Sequence, residues 1–327
     1  MRVVAIVAVV LGFLVIQLGA YTRLTDAGLG CPDWPGCYGT IAVPQTEEAI
    51  SAANRAFPER PVEPTKAWNE MIHRYLAGAL GLLIACLAVM GWRRGGSIRR
   101  LSSGLLVLVI FQAMLGMWTV TMKLNPLVVL AHLLGGFCTL ALLCVLVSCL
   151  RTTEPAISEG RRTSPWLLLA LIVVLGQVLL GGWTSANYAA TACTQLPVCE
   201  AGWQERFDIG GAFSLPQSDD GSYEYGRHNY QQRMTIHVFH RFGGVLTVLA
   251  VLAAALSLMQ QQRRAAGLWL LLLVTVQFSL GLVNVVAHLP IAVAVGHNGG
   301  AALLFASLMV MWTRPGRHRI FGENHHG

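Results

Sequence analysis

The sequence predicts an all-α membrane protein, with eight transmembrane helices arranged as two four-helix bundles related by a pseudo-twofold axis. Three observations predict it. Apolar runs of about 20 residues, long enough to cross a bilayer, recur eight times, at roughly 3–22, 69–92, 103–122, 127–150, 165–185, 234–259, 266–287 and 291–313. The chain is 54% hydrophobic and 12% charged, far from a soluble balance. Finally, the second half repeats landmarks of the first at a nearly constant spacing.

The repeat is visible in several kinds of residue. Cys31 and Cys37 are matched 162 residues later by Cys193 and Cys199, and the His73-Arg74 pair is matched 167 residues later by His240-Arg241. Gln112, Gly116 and His132 are matched 165 residues later by Gln277, Gly281 and His297. Self-similarity over half a chain indicates a duplicated unit. Each unit holds four spans, an even number, so both copies keep one orientation, with the axis along the membrane normal. The expected units are residues 1–150 and 165–315, joined by a cytoplasmic linker at 151–164.

The first span reads as an uncleaved anchor, because its apolar stretch is too long for a secretory signal and seven more spans follow. Basic residues set the orientation. Arg93, Arg94, Arg99 and Arg100 fall in the second connection, Arg151, Arg161 and Arg162 in the fourth, and Arg263 and Arg264 in the sixth. With Arg2 at the start and Arg314, Arg317 and Arg319 at the end, both termini lie in the cytoplasm. The long connections at about 24–68 and 186–233 carry more acid than base and face outward. The net charge of +7 is therefore a topology signal and gives no reason to invoke nucleic acid.

Cysteines in the outer connections meet an oxidising compartment, where disulfides persist. The matched short spacings favour Cys31–Cys37 and Cys193–Cys199 among the three connectivities. These are either structural staples or a redox-active pair near a reaction centre. Cys86, Cys138, Cys144 and Cys149 lie within spans and read as small buried apolar residues.

Ionisable residues inside membrane spans mark functional sites by default. His73 and His132 in one half, and His240 and His297 in the other, each come from the second and fourth span of their unit. Two helices can then offer imidazoles across a bundle core, and bis-imidazole ligation of haem is a standard use of such a pair. Gly78 and Gly81, Gly135 and Gly136, Gly243 and Gly244, and Gly299 and Gly300 follow the histidines. They either let a flat macrocycle approach the backbone or serve small-residue helix packing. All four histidines lie in the outer half of their helices, which argues against a wire carrying electrons across the membrane. Arg74 and Arg241 sit where haem propionates would emerge, and either pair with them or snorkel.

The halves differ at Glu70, three residues before His73 and on nearly the same helix face. The matching residue is His237, which stands as an alternative ligand to His240. Glu70 is either a first-turn acid favoured by the helix dipole or a catalytic group beside a haem on His73.

Thr22-Arg23-Leu24-Thr25, Gly28, the segment Cys31-Pro32-Asp33-Trp34-Pro35-Gly36-Cys37 and Glu70-x-x-His73-Arg74, with the duplicated histidines, resemble the haem A synthase family over nearly the whole chain. The resemblance implies oxidation of a ring methyl of haem O to a formyl group, giving haem A for terminal oxidases. It implies that His73 and His132 ligate the substrate haem, with Glu70 catalytic beside it, and that His240 and His297 ligate a resident haem B. It also implies a bacterial inner membrane, haem O synthase and cytochrome oxidase assembly factors as partners, and an electron acceptor that the residues do not identify. Homo-oligomerisation stays open. A cytochrome b-type electron carrier and a haem transporter or chaperone are the alternative classes.

Overall fold

The computed structural model describes residues 1–151, 164–215 and 221–313. Most of the expected linker, including Arg161 and Arg162, lies outside the described residues, as do Arg314, Arg317 and Arg319. Among the described residues the chain is helical without named strands. Eight helices are long and apolar enough to cross a membrane: α1 (Arg2–Leu24), α3 (Pro64–Arg94), α4 (Gly96–Thr121), α5 (Pro126–Arg151), α6 (Pro165–Ala186), α8 (Tyr230–Gln260), α9 (Arg264–Val286) and α10 (Ile291–Thr313). Two short helices, α2 (Glu47–Ala56) and α7 (Ile209–Ala212), lie in the long connections.

The helix ends follow local chemistry. Pro64 and Pro165 stand in the first turns of α3 and α6, where a missing N–H costs nothing. Thr46 caps α2 by accepting the Ala49 N–H at 3.2 Å. Asn229 and Gln232 form a reciprocal capping box at the start of α8. Gly95, at φ +71°, turns the chain from α3 into α4. The polar first turns of α3 and α8 extend both helices beyond their apolar runs. His73 thus lies about 14 Å along α3 at 1.5 Å per residue.

In the first half α1 packs on α3 and α5, while α4 packs on both α3 and α5. The second half repeats this closed pattern: α6 packs on α8 and α10, and α9 packs on both α8 and α10. The halves meet where α1 touches α10 and where α5 touches α6 and α10. One core cluster, with Leu80, Ile84, Leu105 and Leu143, belongs to the first half alone. Another joins Val174, Val251, Leu270 and Phe305 to Phe137, Leu140 and Ala141 of α5, so the core crosses the seam. Between membrane helices such contacts act through close packing. Outward-facing residues such as Leu82, Val107, Leu256 and Leu272 stay exposed, as lipid contact permits.

The outer end of the seam is polar. Arg23 Nη2 donates to the Ser185 carbonyl at 2.8 Å, and its guanidinium lies 3.9 Å from the centroid of the Tyr188 ring. The Tyr188 hydroxyl donates to Asp26 Oδ1 at 3.0 Å. Arg60 pairs with Glu224 at 2.6 Å, and Gln17 of α1 donates to the Val295 carbonyl of α10 at 3.2 Å.

Candidate functional site

Each half brings its two histidines together. His240 on α8 and His297 on α10 face each other edge to face, with ring centroids 6.4 Å apart. His73 on α3 and His132 on α5 lie close enough to interact electrostatically. All four sit in the first half of helices that begin on the side of the disulfide loops. The reason is chain geometry: both loops and both short turns that precede α5 and α10 lie at one end of the bundle.

Every imidazole rests on a glycine of a neighbouring helix. An added Cβ would come within 3.0 Å of a ring carbon at Gly19 (His73) and at Gly181 (His240). The corresponding distances are 3.5 Å at Gly116 (His132) and 3.2 Å at Gly281 (His297). Contacts of 3.0–3.2 Å leave almost no room for a side chain, so Gly19, Gly181 and Gly281 let the Cε1 edges of the rings approach the helix closely.

The glycine pairs singled out in the sequence do something else. An added Cβ at Gly135 would collide with Gln112, one at Gly243 with Gln177, one at Gly299 with Gln17, and one at Gly300 with Gln277. They seat glutamine side chains, which is small-residue packing with a polar guest. Gly78 and Gly81 of α3 differ, because an added Cβ there meets nothing within 4 Å.

The outer loops close over these pairs in the same way in both halves. Disulfides Cys31–Cys37 and Cys193–Cys199 are formed, with Cα atoms 4.8 and 4.9 Å apart. Glu70 is buried at 5% exposure and accepts the Cys31 N–H at 2.8 Å. It also pairs with Arg74, which donates to the carbonyls of Asp33 at 2.9 Å, Pro35 at 3.3 Å and Gly36. In the second half His237 Nδ1 accepts the Cys193 N–H at 3.3 Å. Arg241 donates to the carbonyls of Gln195 at 2.6 Å, Val198 at 2.5 Å and Cys193 at 2.7 Å. His237 therefore does for its loop what Glu70 does for the other.

Both arginines bond loop carbonyls. Sequence reading missed this latch, although the matched spacing of loop, acid or histidine, and arginine carried the signal. It also missed the four glutamines, of which the Gln112–Gln277 match was visible. Outside the membrane, Glu200 braces the second loop. Burial pushes its carboxyl up, but hydrogen bonds from the Thr194 N–H and hydroxyl, at 2.7 and 2.8 Å, outweigh burial and hold it below the ordinary value.

The donor set fits iron held by paired imidazoles. The His73 and His132 rings are buried, that of His73 against the Val15 backbone and that of His132 against the Gln112 backbone. His297 Nδ1 lies 3.2 Å from the Gln277 carbonyl, which makes it the donor, and the Nε2 lone pair lies 3.4 Å from the Gln277 amide nitrogen.

Comparison with known proteins identifies the family. Residues 2–309 match the family described as cytochrome oxidase assembly protein, COX15-CtaA. The heme A synthase of Shewanella oneidensis is 48% identical over 308 residues, covering 93% of each chain. The heme A synthase of Chelativorans sp. is 27% identical, covering 92% of this chain and 86% of its own. That of Bacillus licheniformis is 26% identical, covering 92% and 91%. With eight apolar spans and a match over nearly its whole length, this chain is a multi-pass membrane protein belonging to the COX15-CtaA cytochrome oxidase assembly family.

Proposed function

We propose that the chain is a haem A synthase, which oxidises a ring methyl of haem O to the formyl group of haem A. The observation that carries this reading is the pair of histidines that α3 and α5, and again α8 and α10, carry at matching positions under equivalent loops that differ in one ionisable residue. Two like haem sites at one face suit chemistry at one and electron transfer at the other. The 48% identity to a heme A synthase over 93% of the chain supports it.

In this reading His73 and His132 hold the substrate haem, and His240 and His297 hold haem B. When bound, haem B supplies one-electron redox chemistry. Methyl to aldehyde is two successive two-electron oxidations, so electrons must leave the substrate half. Glu70 sits one helical turn from His73 and holds a negative charge, or a proton, at its carboxylate oxygens. Its bonds to Arg74 and to the Cys31 N–H fix where that charge stands. The disulfide loops, latched by Arg74 and Arg241, cover the outer ends of α3 and α8 and limit water entry. The absence of any neighbour within 4 Å of an added Cβ at Gly78 and Gly81 supports entry of a flat substrate beside α3.

Residues 1–150 then form the substrate half and 165–315 the haem B half. The matching helix contacts of the two halves support a pseudo-twofold relation. The protein is placed in a bacterial inner membrane with both termini cytoplasmic and the long loops outside, where disulfides persist. Its class of partners is haem O synthase and other oxidase assembly factors.

Pigment extracted from purified full-length protein tests the reading. Expression with a haem O supply is expected to yield haem B together with haem O and haem A. Haem B alone under that supply overturns it in favour of an electron carrier.

A further inference from the structure

A cavity of about 530 Å³ lies on the second half, between α6, α8 and residues of the second long connection. Its size falls in the range of about 300–1,000 Å³ typical of small-molecule sites. Gly176, Gln177 and Trp183 of α6 line one wall, Gly243 and Leu246 of α8 the other, and Phe213 of the connection lies across them. Gly176 and Leu246 are exposed, so the mouth opens sideways towards lipid. Neither His240 nor His297 lines the cavity, which is therefore separate from the space between the imidazoles.

Two glycines make this space. By the 162-residue offset that matches Gly181 to Gly19, Gly176 corresponds to Leu14, and by the 167-residue offset that matches His240 to His73, Gly243 corresponds to Leu76. An added Cβ at Gly176 meets nothing within 4 Å, whereas one at Gly243 would collide with the Gln177 amide. The wall also reaches His240. Gln177 Nε2 lies 3.0 Å from His240 Nδ1. Phe213 meets Phe239, the neighbour of His240 in sequence, edge to face with centroids 5.4 Å apart. Trp183 spends its indole N–H on the Ala212 carbonyl at 2.9 Å, which holds the segment that carries Phe213. Gln177 Oε1 has no partner among the described residues, so the amide keeps an acceptor to spare.

We propose that this cavity takes the ring of a lipid-soluble quinone, the oxidant that collects the electrons released in the substrate half. The proposal rests on the reading that His240 and His297 hold haem B. Oxidation of a methyl to an aldehyde, with water as the oxygen source, releases four electrons and four protons. Two quinones take them up: methyl, water and two quinones become aldehyde and two quinols. Such an oxidant dissolves in hydrocarbon and arrives from the lipid, the side on which the mouth opens. Electron transfer weakens steeply with distance, and the cavity wall stands one hydrogen bond from His240. A phospholipid acyl chain is the competing occupant of the same apolar walls.

The test uses the full-length holoprotein, with decylubiquinone and its quinol as probes. Stopped-flow absorbance follows the low-spin haem as the quinone oxidises it or the quinol reduces it. Gly176→Leu sets into the cavity the side chain that the first half carries. Leu246→Trp fills the same mouth from α8. Gly104→Leu on α4 is the control, because an added Cβ there also meets nothing within 4 Å. At sub-saturating probe the rate in both filling variants should fall about tenfold or more, the usual scale of exclusion from an apolar pocket. Their haem spectrum and midpoint potential should stay unchanged, and Gly104→Leu should keep the wild-type rate. Undiminished exchange in the filling variants, equal slowing in Gly104→Leu, or no exchange in the wild type in either direction overturns the quinone site. The first of these is the result for a cavity that holds an acyl chain. His240→Ala separates the two levels: retention of the low-spin haem defeats the haem B reading, whereas its loss, with any of those overturning results, defeats the quinone site alone.

Discussion

Replacing Glu70 by histidine would install in the first half the residue that the second half carries at the same place. The perturbation separates two roles that coincide in the wild type, holding the loop and placing an acid next to His73. Glu70 and Arg74 form a contact pair with side chains 6% and 12% exposed. Deleting the acid outright would strand a buried guanidinium, a change worth about 3–5 kcal/mol. Histidine keeps an acceptor for the Cys31 N–H, as His237 does for Cys193. Arg74 keeps its bonds to Asp33, Pro35 and Gly36, each worth about 1.5–3 kcal/mol from a charged donor. The expected loss of stability therefore lies below the deletion range, about 1.5–3 kcal/mol, the scale of one charge-assisted bond. Thermal unfolding of the purified protein measures it. Pigment extraction then reports the chemistry: Glu70→His should bind haem O and accumulate it or a hydroxylated intermediate, with little haem A. Glu70→Gln, which removes the charge at nearly constant size, should stall at the same point. Normal haem A from either well-folded variant would refute the catalytic assignment and leave Glu70 a latch alone.

Other expectations follow from the same geometry. His240→Ala or His297→Ala should abolish the low-spin haem B spectrum, since each leaves the iron one imidazole; an unchanged spectrum in either would remove that residue from the ligand set. Cys193→Ser opens a disulfide of sequence separation 6, worth about 2 kcal/mol by loop closure. Thermal scans and haem retention should fall while some turnover persists, whereas full loss of turnover with normal haem content would indicate a redox role. Arg241→Gln should free the second loop from three carbonyls, detected as faster proteolysis between residues 186 and 230; unchanged cleavage would show that the disulfide alone holds it. The Glu200 carboxyl is depressed in the folded state, so its contribution is present above the ordinary value of 4.5 and is lost as pH falls through the lowered folded value. Amide exchange at Thr194 should therefore rise, relative to the intrinsic rate, only as pH falls below the ordinary value of 4.5, and a pH-independent protection factor would contradict the assignment.

The membrane helices were legible because about 20 apolar residues in a row have few other uses. The histidine pairing was legible because charge-bearing side chains inside such runs stand out and the repeat supplied their partners. Helix ends were less so: α3 begins at Pro64 and α8 at Tyr230, ahead of the apolar runs, because caps and first turns are polar. The roles of Arg74, Arg241 and His237 were hidden for another reason. Their partners are backbone atoms in loops roughly 40 residues away in sequence, and a backbone carbonyl carries no side-chain signature. The glycines after the histidines were read as space for a macrocycle or as small-residue packing, and Gly135, Gly243, Gly299 and Gly300 make space for glutamines. A glycine announces close approach but never says of what.

The polar seam between the halves holds one more consequence. Arg23 meets Ser185 and Asp26 meets Tyr188, and the members of each pair stand 162 residues apart, the same offset that separates the two disulfide loops. The two members of each pair thus stand at matching positions of the sequence repeat. Contacts between equivalent positions are the pattern of an isologous interface. In a dimer of identical four-span chains, such a contact would set like against like, arginine opposite arginine and aspartate opposite aspartate. Joined in one polypeptide, the two positions are free to differ, and the self-contact becomes a guanidinium on a carbonyl and a phenol on a carboxylate. Severed halves of this protein should therefore assemble as unlike partners, with neither able to substitute a second copy of itself for the other.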